Sequence, residues 1–293
     1  MRRFFGGLIA LTLVSPASAA EQRAAATNLE PTSKWWLNYT DNKCVVLRSF
    51  GSGEGAIVVR MSRSAPASGF QLTLIGKLMR SSAPIVDLPV NFEAGQPATT
   101  NAVLFGNAGK VGDTPMVVLA TARLDNLHGD AYPQDGEPPT VTPEQEAAVT
   151  ALTFRAPSRK WYRLQTGSMK GIMAAMRACT DKVIESWGYS PAVQNSLTRP
   201  AKPIGSPSKW LSSVDYPLSM HVMGSMAIVE FRLDIADTGN VTGCTIIAAT
   251  LPEEAAATTC ELLSRRAKFM PALDAMGKPV KTFGVSTIRW TIR

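Results

Sequence analysis

The sequence predicts an α+β chain. A mainly antiparallel β domain with one closing helix comes first, and a small domain with the element order β-β-α-β follows. Three observations carry this. Short β-prone runs separated by Gly, Pro and Ser clusters occupy residues 44–124. A single amphipathic stripe runs from Ser168 to Trp187. Beyond a Pro-rich segment, an alternating run is followed by a turn, a second β-prone run, a capped helix and a terminal alternating run.

Residues 1–20, MRRFFGGLIALTLVSPASAA, carry two arginines, an apolar run from Phe4 to Val14 and a small-residue ending at Ala17–Ala20. That order predicts a cleavable secretory signal. Gly6, Gly7, Thr12, Ser15 and Pro16 interrupt the run, whereas a spanning helix needs about 20 apolar residues. The expected location is therefore the periplasm, with an inner-membrane anchor as the alternative. Loss of Arg2 and Arg3 lowers the formal charge from +7 to +5. The remaining cations are scattered, apart from Arg265, Arg266 and Lys268, so no nucleic-acid surface is expected.

The first domain is expected over 24–195. Trp35, Trp36 and Tyr39 precede a strand from Cys44 to Phe50, and this aromatic cluster reads as core. Further strands are expected at 56–62, 70–76, 83–92, 101–105 and 115–124. Residues 124–146 form a polar, Pro-rich insertion before a short helical stretch. In the closing helix, Ile172, Met176, Cys179, Val183 and Trp187 recur at helical spacing, with Gly188 as the residue that ends it. Residues 196–209 contain Pro200, Pro203, Pro207 and Gly205, and read as a semi-extended linker holding neither helix nor sheet.

The last domain is expected over 210–293. Val229, Phe231, Leu233 and Ile235 alternate with Glu230, Arg232 and Asp234, as in a half-buried strand. Asp237–Asn240 turn the chain into a second strand from Val241 to Ala248. Thr250 and Glu253 have capping-box spacing, with Pro252 in the first turn. Ala256, Cys260, Leu263 and Ala267 form the inner stripe of the helix. Its basic end, Arg265, Arg266 and Lys268, suits the helix dipole, so the cluster reads first as helix termination and second as a binding patch. In the final strand, Ile288, Trp290 and Ile292 alternate with Thr287, Arg289, Thr291 and Arg293.

The 4 cysteines of an exported chain read as two disulfides, for which three pairings exist. Cys44–Cys179 and Cys244–Cys260 are favoured, because neither crosses the linker. No metal site is expected: His128 and His221 are far apart, His128 in a polar loop and His221 in a packing role. No G-x-S-x-G elbow is present, and the glycine-rich FGSGEG at 50–55 lacks the Lys-Ser/Thr of a phosphate loop. Neither an enzyme nor a cofactor is expected.

Tyr216-Pro217, Gly224, the strand AIVEFRLD, Gly239, Val241, the helix ending RRAKFMPA and the GKPV turn before a terminal apolar strand occur together in order. Over about 207–293 this set resembles the C-terminal domain of TonB, the periplasmic energy transducer. The resemblance implies a small antiparallel sheet backed by a helix, which grips the short N-terminal box of an outer-membrane receptor partly by adding it as a strand. It carries over Tyr216 and Pro217 together with the last strand, Val285, Ser286, Thr287, Ile288, Arg289 and Trp290, as partner contacts. The implied function is that of a periplasmic adaptor binding an extended segment of an envelope protein or receptor, with a homodimer through the same strand as a second use of it. A membrane-anchored energy transducer is one alternative. The other is an enzyme or ligand-binding domain at 24–195, which lies outside the resemblance, with the TonB-like module as its address.

Overall fold

Strands β1 (Thr27–Leu29), β2 (Trp36–Thr40), β3 (Lys43–Phe50), β4 (Ile57–Arg63) and β5 (Phe70–Ile75) open the fold. They are joined by β6 (Ile85–Phe92), β7 (Thr99–Ala108), β8 (Thr114–Ala122), β9 (Leu152–Arg155) and β10 (Trp161–Leu164). The ten form one sheet in the order β1-β10-β9-β6-β7-β8-β5-β4-β3-β2. The computed structural model describes residues 26–40, 42–82, 85–93, 99–108, 114–127, 139–250 and 252–291. The expected signal at 1–20, residues 128–138 of the 124–146 insertion with His128, and the terminal Ile292 lie outside the described residues.

Alternation explains the strands. In β4, Ile57, Val59 and Met61 are buried while Val58 and Arg60 are half-buried. β5 pairs antiparallel with β8, and β6 with both β7 and β9. The short β1 runs parallel to β10, and Pro31 forms a bridge with Phe50. Phe50, Ile57, Leu72, Leu74, Leu119, Leu152, Phe154 and Leu164 are each at most 1% exposed. At about 25 cal/mol per Å² of apolar area, such side chains supply most of the driving force. Of the aromatic cluster expected as core, only Trp35 packs inward. Its ring meets Phe50 edge-on at 6.4 Å, beneath the Arg48 guanidinium. Trp36 is 70% and Tyr39 47% exposed, because β2 is the last strand of the sheet and every one of its residues faces solvent.

Helix α1 (Pro143–Ala148) starts with a capping box between Thr142 and Gln145. Helix α2 (Lys170–Ser186) buries Met173, Met176, Cys179, Val183 and Ile184, while Ile172 and Trp187 of the expected stripe are half-buried. It ends at Gly188 in the left-handed region, where Gly188 N–H donates to Glu185 O and Tyr189 N–H to Ile184 O. The short α3 (Pro191–Gln194) follows.

The described chain forms two compact units. One takes the residues up to Trp36, Val46–Met61 and Ser68–Met173, and the other takes Leu37–Val45, Ser62–Ala67 and Ala174 onward. The division falls inside α2, and residues 196–209 belong to the second unit.

The segment 196–209 is extended but not a free spacer. Within it, β11 (Lys202–Pro203) pairs with β14 (Phe269–Met270), and Arg199 bridges Leu273. Thr198 N–H donates to Leu273 O at 2.9 Å and Ile204 N–H to Lys268 O at 2.8 Å. Prolines limit helix here to the single 3-10 turn Pro207–Lys209, and the residues between them keep their N–H groups. A proline is tolerated in a short edge pairing.

The second unit is built on β12 (Ala227–Ile235), β13 (Val241–Ala249) and β17 (Thr282–Trp290), in the order β13-β12-β17. Helix α4 (Leu218–Met223) precedes the sheet, and α5 (Glu253–Arg266) lies between β13 and β17 in the chain. Between α5 and β17, β15 (Ala272–Leu273) and β16 (Pro279–Val280) make a small hairpin. The main order is thus β-β-α-β. Ala227, Val229, Phe231, Leu233 and Ile235 of β12 are all buried, as the alternation predicts.

Two expectations for α5 are corrected. Its buried face is Ala255, Thr259, Leu262 and Leu263, while Ala256 and Cys260 are half-buried. The stripe is rotated because Thr259, polar by type, points into the core: its hydroxyl donates to Ala255 O at 2.6 Å and accepts from Trp290 Nε1 at 2.9 Å. There is no side-chain cap at Thr250. Pro252 is the N-cap residue, and Thr250 instead extends the ladder, its Oγ1 accepting from Ile228 N–H at 2.9 Å. At the β12–β13 turn, Gly239 has φ 84° and a Cβ there would lie 1.9 Å from Phe269 O. Only glycine fits.

Candidate functional site

Both disulfides join the expected partners. Cys44–Cys179 has a Cα separation of 6.0 Å and Cys244–Cys260 one of 5.5 Å. The second ties α5 to β13, the strand at the far side of β12 from β17.

The face of β12 opposite α5 carries Glu230, Arg232 and Asp234, all half-buried. Other parts of the second unit cover it. The Glu230 carboxylate pairs with the Lys43 ammonium and accepts from Ser64 Oγ at 2.9 Å. Arg232 reaches Asp234 Oδ1 at 3.0 Å and stacks over Trp187 at 4.5 Å from the ring centre. Tyr189 has one hydroxyl proton, and its oxygen lies 2.9 Å from Asp234 Oδ1 and 3.0 Å from Thr282 O. Burial first, and then the Asp234 carboxylate, push the Tyr189 phenol above its ordinary value.

Among the described residues β17 pairs with β12 alone, in unbroken register from Ala227↔Trp290 to Ile235↔Thr282. It is therefore an edge. Ile228 points both of its backbone groups to the β13 side, its C=O accepting from Thr250 N–H at 3.0 Å and its N–H donating to Thr250 Oγ1 at 2.9 Å. In an antiparallel ladder the direction alternates, so Val229 and its partner Ile288 face each other. By the same alternation the N–H and C=O groups of Val285, Thr287 and Arg289 point away from β12. No bond from another described residue reaches them. Ser286, Thr287 and Arg289 are exposed, and Val285 and Ile288 half-buried.

The beginning of this edge is closed. Gln194 Nε2 donates to Lys281 O at 3.1 Å, and its Oε1 accepts from the Thr282 hydroxyl at 2.7 Å. The Phe283 ring meets Trp187 at 5.2 Å and Tyr189 at 4.9 Å.

At the other end, Trp290 is 4% exposed and Tyr216 packs edge-on against it at 5.7 Å. The Tyr216 hydroxyl donates to Ser225 O, and Pro217 is buried as the N-cap residue of α4. The sequence-derived set thus falls into two groups. Tyr216, Pro217 and Trp290 are packed into the sheet end, whereas Val285, Ser286, Thr287, Ile288 and Arg289 line the accessible edge. His221, expected in a packing role, is exposed beside the Tyr216 ring. Trp187, Tyr189 and Gln194 were not among the sequence candidates.

The basic cluster is engaged within the unit. Arg266 grips Asp215 with both nitrogens, at 2.8 and 2.9 Å, and also donates to Trp210 O. These bonds, with those from Ser212, hold the Asp215 carboxyl down at about 2. Arg265 pairs with Glu261 one turn back, and Lys268 donates to Asn240 Oδ1. Among the described residues, no three His, Cys, Asp or Glu side chains gather as a metal-binding group, and no helix is long and apolar enough to cross a membrane. Comparison of the chain with family models, with curated proteins and with solved structures returns no match.

Proposed function

We propose that the second unit is a TonB-like binding module of a periplasmic adaptor, and that it captures an extended segment of an envelope protein or TonB-dependent receptor as a fourth strand beside β17. The observation that carries this reading is the open edge: three consecutive outward residues, Val285, Thr287 and Arg289, with unpaired main-chain groups. Such groups bind an extended chain without regard to most of its side chains. Each main-chain bond contributes about 0.5–1.5 kcal/mol net. A handful of them, set against an ordering cost of about 2–5 kcal/mol for the visiting segment, gives a weak and exchangeable complex. The role is binding rather than catalysis.

The test uses the full chain, because Lys43, Ser64, Trp187 and Tyr189 all cover the sheet. Thr287→Pro removes an outward N–H and leaves the ladder to β12 intact, whereas Ile288→Pro removes an inward one. Receptor-box peptides titrated calorimetrically should bind wild type and lose about 2- to 12-fold in affinity to folded Thr287→Pro. A flat titration with folded wild type rejects the reading. Intact mass of the exported protein tests location: a start near Ala20 supports the soluble adaptor, and a start at Met1 favours the anchored alternative.

A further inference from the structure

We infer that the turn after α2, Trp187 to Gln194, is a built-in stop that limits how far a visiting strand can run along β17. The inference rests on the strand-addition reading and deepens it by naming the length and placement of the partner segment. By the alternation described above, Lys281 is an outward position, and its carbonyl would be the next to accept a visiting N–H. That carbonyl is already taken by Gln194 Nε2 at 3.1 Å, and the adjacent Thr282 carbonyl has the Tyr189 hydroxyl at 3.0 Å.

The stop is held in place from several directions. Gln194 also accepts from the Thr282 hydroxyl at 2.7 Å, and its own N–H donates to Ser190 O at 3.0 Å. Tyr189 is fixed by Asp234 and by its N–H to Ile184 O at 3.0 Å. Trp187 donates from Nε1 to Asn42 Oδ1 and lies under the Arg232 guanidinium. A strand that extended past Phe283 would have to break the Gln194 bond to Lys281 O and displace these rings. At the opposite end, the edge runs freely to Arg289. The visiting segment is therefore confined to the stretch from Phe283 to Arg289, a strand of about seven residues. The partner is accordingly a short extended segment bounded by a chain end or a turn, rather than one strand of a long continuous sheet.

The experiment is a length series of receptor-box peptides, from about five to about eleven residues, titrated against the full-length protein and read also by amide hydrogen exchange at saturation. In wild type, affinity should rise to about seven residues and change by less than about twofold beyond. Protection should appear at the amides of Val285, Thr287 and Arg289 and not at Lys281. In Gln194→Ala combined with Tyr189→Phe, the outward N–H and C=O of Lys281 become open to a visiting strand. The longer peptides should then bind about tenfold tighter than the seven-residue one, with the Lys281 amide newly protected. Protection of Lys281 in wild type, or a continued rise in wild-type affinity with length, overturns the stop while leaving strand addition standing. No binding at any length sinks the functional reading itself, and the stop with it. Should the double variant fail to fold, the wild-type length series and exchange pattern decide alone.

Discussion

The replacement Thr259→Val probes how the end of β17 is fixed to α5. Thr259 is fully buried, and its hydroxyl is the acceptor for the indole N–H of Trp290, itself 4% exposed, at 2.9 Å. Valine keeps the shape and the branching but cannot accept. The Trp290 N–H is then left buried without its partner, which costs about 1–3 kcal/mol. The same hydroxyl donates to Ala255 O, but that carbonyl can still accept the intrahelical N–H of residue 259, so its loss adds little. For a unit of this size each kcal/mol lowers the melting temperature by about 2–4 °C, so a drop of about 2–12 °C is expected. Thermal unfolding followed by far-ultraviolet circular dichroism measures it, with Thr259→Ser as the control that keeps the acceptor and loses one methyl, about 1 kcal/mol. Trp290→Phe removes the donor, and the double variant Thr259→Val/Trp290→Phe closes the cycle. A Thr259→Val protein as stable as wild type, or strictly additive losses in the double variant, would refute the claim that this bond fixes the strand.

Gly239→Ala should destabilise by at least about 2 kcal/mol, since it adds a side chain at positive φ and drives a Cβ into the Phe269 carbonyl 1.9 Å away; chemical denaturation reads this directly. Replacing Cys244 and Cys260 by serine should cost about 3 kcal/mol, and replacing Cys44 and Cys179 about 5 kcal/mol, because the loops close over separations of 16 and 135 residues. Melting in the absence of reductant distinguishes the two. The Asp215–Arg266 pair gives a pH signature. Its carboxyl sits at about 2 when folded, below the usual range, so its stabilisation is present above about pH 4 and is lost as pH falls through about 2. Asp215→Asn should therefore lower the melting temperature at neutral pH and match wild type near pH 2. An equal deficit at both pH values would contradict it.

Period-two alternation in β12 was legible because five apolar side chains had one face to fill. Alternation names faces, however, and not neighbours. Nothing in Val285–Trp290 as a string says that β17 borders one strand rather than two, or that Glu230, Arg232 and Asp234 lie under Lys43, Ser64 and Tyr189. Those contacts span sequence separations such as the 187 residues from Lys43 to Glu230. Leu263 and Ala267 of the expected α5 stripe are buried, but its first half lies one position off, at Ala255 and Thr259, because a buried threonine with a tryptophan partner looks polar in isolation. The prolines of 196–209 argued against helix and sheet alike, yet Pro207–Lys209 form one 3-10 turn and the N–H groups between the prolines found partners in β14 and at Leu273. Gln194 and Tyr189 carried no local signal beyond the glycine that turns the chain toward them.

The second unit draws its pieces from Leu37–Val45, Ser62–Ala67 and Ala174 onward, with Cys44 joined to Cys179. A chain delivered N-terminus first must therefore hold its earliest contribution in waiting until the last strand has emerged. No product that stops before β17 can complete this sheet edge.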